Sequence, residues 1–127
     1  MNPQEQHIKV TYQIRGMKKE AAKTDHVKHV QKWLTLIGET ERRNCQLRLV
    51  AELFLYLAHT ATDLLHNANF LRTVIAKMKE IDDMLCNNPE DYAVRRFYNA
   101  AENLKYIIES VILRKYHTFT LKGRPYY

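Results

Sequence analysis

Between Glu39 and Asn88 the chain carries neither glycine nor proline, and its apolar positions step by three and four. They run Leu47, Val50, Phe54, Leu57, Ala61, Leu64, Ala68, Leu71, Ile75, Met78 and Leu85, with Asp82 alone interrupting the series. Residues three and four apart share one face of an α-helix, so this is an apolar helical seam. From Leu47 to Leu57 the apolar residues extend around most of the helix, which marks a central helix or one shared with a partner. Two asparagines at 67 and 69 favour a break in a segment that would otherwise form a rod of about 70 Å at ~1.5 Å per residue.

Earlier in the chain, Val27, Val30, Leu34 and Ile37 form a second seam beside Trp33, and Gly38 marks its end. Later, Asn88-Pro89-Glu90-Asp91 reads as a helix start: a capping side chain, a proline at the first helical position and acids at the positive end of the dipole. The seam that follows is Val94, Phe97, Ala101, Leu104, Ile108 and Val111. The two ends change period. Ile8, Val10, Tyr12 and Ile14 alternate with polar residues, as do Phe119 and Leu121 with Thr118 and Thr120. Period two predicts strands or extended arms.

These patterns predict one all-α domain over 1–127. It is a four-helix up-down bundle with helices at about 17–37, 39–66, 69–86 and 88–116. The basic N-terminal arm, 1–16, and the aromatic C-terminal tail, 117–127, flank it. In an up-down bundle both chain ends lie at one end of the molecule, so the two arms are expected to pair as a β-ribbon.

Charge sharpens the functional reading. The chain carries a net charge of +6 and a pI near 9.4. Residues 1–35 hold seven bases against three acids, and residues 113–127 hold four bases and no acid. The middle of the chain is weakly acidic, so the basicity lies at the ends. Arg15, Lys18, Lys19, Lys23, Arg114, Lys115, Lys122 and Arg124 are interleaved with Tyr12, Tyr116, Phe119, Tyr126 and Tyr127. Cations neutralise phosphates and release counterions, and aromatic faces stack on unpaired bases. The expected function is non-enzymatic binding of RNA or DNA through backbone phosphates, in a regulatory, coating or assembly role. The candidate binding residues are those eight bases with Tyr126 and Tyr127. No helix-turn-helix, zinc-finger or RNP-type signature is present, so sequence specificity is not expected.

Other chemistries fit less well. Glu52, His59, Asp63 and His66 share a helical face, and His26 and His29 lie three apart, which is ligand-like spacing for a metal between helices. A di-iron bundle repeats its Glu-x-x-His pair, whereas Asp63-x-x-His66 has no second copy here. Cys45 has Arg42, Arg43 and Arg48 nearby, which would lower a thiol pKa, but no histidine is close along the chain. There is no glycine-rich phosphate loop, nucleophile elbow or Cys-x-x-Cys. Neither catalysis nor a cofactor is expected. The competing reading is a helical protein-interaction module that forms a homodimer through its apolar central helix or through strand exchange between arms. The longest apolar run, Leu53–Ala58, is six residues, too short for a membrane span, and the polar N-terminus is not a secretory signal. With two cysteines, an intracellular, cytoplasmic location is expected.

Overall fold

The computed structural model describes residues 2–85, 92–114 and 119–123. Among them the chain is all-helical, with five α-helices: α1 Pro3–Glu20, α2 His26–Glu39, α3 Arg43–His59, α4 Ala68–Leu85 and α5 Tyr92–Ile107. A 3-10 turn, Thr62–His66, joins α3 to α4, and a π-helical turn, Ile108–Ile112, extends α5. No described residue lies in a strand. No helix among the described residues is long and apolar enough to cross a membrane.

The predicted N-terminal arm is instead α1, and the predicted helix 17–37 is divided between α1 and α2. The cap explains why. The Asn2 side chain accepts from the Glu5 amide at 2.8 Å, Pro3 takes the first helical position and Glu5 lies in the first turn. The helical phase is carried by Val10, Ile14 and Met17, which are buried, while Ile8 and Tyr12 of the apparent alternation face solvent. Gly16 does not interrupt the helix. The break comes after Glu20, and Asp25 then caps α2 by accepting from the Val27 amide at 2.8 Å. With α1 helical, the expected β-ribbon between chain ends has lost one of its strands.

The break near the two asparagines is present, and it begins earlier than 66. α3 ends at His59, the 3-10 turn follows, and Asn67 caps α4 through its side chain to the Phe70 amide at 3.0 Å. The expected helix 88–116 corresponds to α5 with its π-helical turn. Its end comes sooner, where Arg114 adopts a φ of 53°. This left-handed conformation is the one that commonly terminates helices. The Asn88-Pro89 start, Cys86 and residues 115–118 lie outside the described residues.

α3 is the centre of the fold. It packs most extensively on α5 and also meets α1, α2 and the 3-10 turn. Its buried residues occupy almost every position from Cys45 to Ala58, which is the all-round apolar pattern expected of a central helix. Ala93, Ala100 and Ala101 on α5 are buried, and such small residues permit a close helix–helix approach. The aromatic rings of Phe54, Phe97 and Tyr98 lie in sequence through the core, at 5.9 and 5.2 Å between centroids. Cys45 is a buried free thiol within this packing.

Beyond the helices, residues 119–123 lie back on the core. Phe119 and Leu121 are buried. The Asp82 carboxylate accepts from the Lys122 amide at 2.6 Å, the Gly123 amide at 2.9 Å and the Tyr98 hydroxyl at 2.7 Å. Asp82 is 2% exposed. The residue that interrupts the apolar seam is therefore an internal clamp for the tail.

Candidate nucleic-acid interface

The site is built on the stripe of α3 that is not apolar. Arg48, Glu52, Leu55 and His59 recur at four, three and four residues, so they form one line along the helix. α1 flanks this line on one side and α5 on the other. Glu52 is the pivot. It is 6% exposed, and its two oxygens receive different partners: Arg96 of α5 at 2.6 Å and Lys18 of α1 at 3.1 Å. One buried carboxylate thus ties three helices together. Arg48 adds a second tie, donating to Thr11 Oγ1 at 3.0 Å and to the His7 carbonyl at 3.4 Å.

The result is a groove of about 390 Å³ lined by His7, Thr11, Ile14, Arg15, Lys18, Arg48, Glu52, Tyr92 and Arg96. It holds four permanent cations and one carboxylate, which leaves the wall net positive by three. Exposed tyrosines stand beside the charges. The Arg15 guanidinium lies 5.8 Å from the Tyr12 ring centroid, and Arg96 lies 5.8 Å from that of Tyr92. Arg96 also donates to the Tyr92 hydroxyl at 3.1 Å. This hydrogen bond, with the guanidinium charge behind it, lowers the Tyr92 phenol pKa below its ordinary value and raises that of Arg96.

A second depression of about 650 Å³ is lined by Leu55, Arg96, Asn99, Ala100, Glu102, Asn103 and Tyr106. It shares Arg96 with the first. Tyr92, Arg96, Asn99, Asn103 and Tyr106 follow one another at helical spacing, and Asn103 Nδ2 lies 3.1 Å from His59 Nε2. From Tyr92 to Tyr106 this face is about 21 Å long at ~1.5 Å per residue.

Of the residues expected to bind nucleic acid, Arg15 and Lys18 line this groove. Lys19 is exposed at the last turn of α1, and Lys23 lies in the turn after it. Arg114 and Lys122 are exposed but belong to another part of the molecule, and Lys122 pairs with Asp83 at 2.6 Å. Lys115, Arg124, Tyr126 and Tyr127 lie outside the described residues. Sequence reasoning missed Arg48, Arg96, Tyr92 and Tyr106, which sit in the acidic middle of the chain. Their helical spacing from Glu52 and from one another was the available signal.

The metal-like spacing resolves into pairs. His26 Nδ1 meets Asp63 at 3.0 Å, His59 meets Asn103, and Glu52 is held by Lys18 and Arg96. Among the described residues no three His, Cys, Asp or Glu side chains come together as a metal cage. Comparison with protein-family models, with curated proteins and with solved structures finds no match for this chain.

Proposed function

We propose that the protein is a non-enzymatic nucleic-acid-binding protein whose contact surface is the groove between α1, α3 and α5. The observation that carries this reading is the convergence of Arg15, Lys18, Arg48 and Arg96 around a single buried carboxylate, beside exposed Tyr12 and Tyr92. Cations in a row neutralise backbone phosphates, and flanking tyrosine faces stack on bases. Exposed bases belong to single strands, so single-stranded RNA or DNA is the favoured ligand. At ~3.4 Å per stacked nucleotide, the α5 face accommodates about six nucleotides. The basic tail residues, among them Lys122 and Arg124, extend the same electrostatic attraction without defining the groove.

The homodimer reading draws less support. The apolar circumference of α3, which would have joined two copies, is covered by the chain's own helices. A regulatory or coating role in an intracellular, cytoplasmic setting is in keeping with a free, buried Cys45.

Fluorescence anisotropy with short labelled single- and double-stranded RNA and DNA tests the proposal. Binding is expected to weaken with salt, each phosphate contact contributing about 0.7 to the log–log slope for single strands. Replacing Arg48 and Arg96 together by Gln should lower that slope by about 1.4. Tight binding that is indifferent to this double change, and lost instead on replacing Lys122 and Arg124, would move the interface to the tail. No binding at low salt would end the nucleic-acid reading.

A further inference from the structure

Next to the basic groove, between α2 and α3, lies a cleft of about 360 Å³. It shares Lys18 and Glu52 with the groove and Leu55 with the α5 depression, so the three are neighbours. One part of its wall is aromatic. Trp33, His29 and Tyr56 line it, with the His29 ring 4.6 Å from Tyr56 and 6.1 Å from Trp33 between centroids.

These three residues carry four buried polar atoms with no hydrogen-bond partner: His29 Nδ1 and Nε2, Trp33 Nε1 and the Tyr56 hydroxyl. Buried polar groups in folded proteins are nearly always satisfied, and each unpaired one is costly. Four such atoms on three adjoining side chains, beside an open cleft, need a common explanation. A structural residue would sooner be apolar: Phe at 29 or 56 would fill the same space without the penalty.

We propose that this cleft is the pocket for a single nucleobase, turned out of a strand that lies in the adjoining groove. The inference rests on the proposed function and names what that site would read. The chemistry of the wall fits a base better than an ion. Burial lowers the His29 pKa and raises that of Tyr56, which favours the neutral form of both. The wall of the cleft thus carries the indole N–H as donor, the phenol as donor and acceptor, and an imidazole with one of each, all fully buried, so a base reaches them as the wall side chains part. Nucleobase edges present the same mixture of donors and acceptors, and their faces stack on aromatic rings. Lys18 and His59, at the rim, are placed for the phosphates on either side of the captured base.

The chain has one tryptophan, Trp33, so intrinsic fluorescence reports this cleft directly. The experiment titrates the full chain with AMP, GMP, CMP and UMP, and with a labelled hexanucleotide in intact and abasic forms. Saturable change in Trp33 emission with at least one mononucleotide is expected, together with weaker binding of the abasic strand. Tyr56→Phe should reduce the mononucleotide affinity about five-fold, the loss of one hydrogen bond. A purely structural Tyr56 would leave that affinity unchanged. Strand binding by anisotropy with silent Trp33 emission, and equal affinity for the abasic strand, would overturn the pocket while sparing the groove. Mononucleotide binding that perturbs Trp33 without any strand binding would instead sink the groove and leave a free-nucleotide site.

Discussion

Replacing Asp82 by Ala should release residues 119–123 from the core and destabilise the whole fold. Burying Phe119 and Leu121 contributes about 3–6 kcal/mol together. Fixing the backbone of these five residues costs about 5–10 kcal/mol. Apolar burial alone therefore does not hold the segment down. The two amide hydrogen bonds into Asp82, at 2.6 and 2.9 Å, are charge-assisted and each contributes about 1.5–3 kcal/mol. They decide the balance. Without the carboxylate the segment lifts and its amides return to water, which limits the loss.

The Tyr98 hydroxyl is different, because it stays buried and loses its 2.7 Å acceptor. The expected cost of Asp82→Ala is on the order of 2–4 kcal/mol. Denaturant unfolding measures it, and hydrogen exchange of the Lys122 and Gly123 amides shows the release. Gly123→Ala separates the two effects. A Cβ at position 123 would overlap the Tyr98 ring, so the segment lifts while the Asp82–Tyr98 bond survives. Its stability cost should be smaller and its amide exchange equally fast. A stability change below about 1 kcal/mol for Asp82→Ala, with both amides still protected, would refute the clamp.

Glu52→Gln should free Lys18 and Arg96 from their counter-charge, tightening oligonucleotide binding and steepening its salt slope, while calorimetry registers a loss of about 1–2 kcal/mol; weaker binding would argue against a phosphate role for these cations. His29 gives the fold a pH dependence. Burial lowers its pKa below the ordinary 6.5, so the folded chain binds fewer protons than the unfolded one in the interval beneath it. Stability should therefore fall as pH drops below about 6.5, and His29→Phe should remove that part of the slope and add about 1–3 kcal/mol at neutral pH, both read from unfolding curves. Phe97→Ala, at the ring cluster between α3 and α5, should lose about 3–5 kcal/mol by denaturant unfolding without altering the salt slope of any folded fraction.

Helical seams of three and four were legible because burial repeats with the helix. The centrality of α3 followed from its all-round apolar surface, and the break before α4 from its asparagines. The N-terminal residues were misread because Ile8, Val10, Tyr12 and Ile14 satisfy period two while Val10, Ile14 and Met17 satisfy the helical period. Capping by Asn2 and Pro3, not side-chain alternation, decides between them. The proposed groove was not legible in the sequence for a related reason. Net charge along the chain is a one-dimensional sum, and the groove is assembled across it: Arg48 and Arg96 come from an acidic stretch and meet Arg15 and Lys18 only after folding.

Buried carboxylates account for the rest. Along the sequence Glu52 and Asp82 look like ordinary surface acids, yet each joins remote segments: α1 to α5 through Glu52, and the tail to α5 through Asp82. A charge so deeply placed is tolerated only when every acceptor oxygen is used, and both residues meet that condition with donors from two other elements each. Such a carboxylate specifies a pairing that apolar contacts alone leave loose. At Glu52 it has a second consequence. Lys18 and Arg96 must remain beside it to stabilise it, so the architecture that closes the helices also holds cations at the mouth of the groove. The same electrostatic requirement therefore serves the fold and prepares the surface proposed to meet phosphate, and Glu52→Gln is the change at which the two effects part.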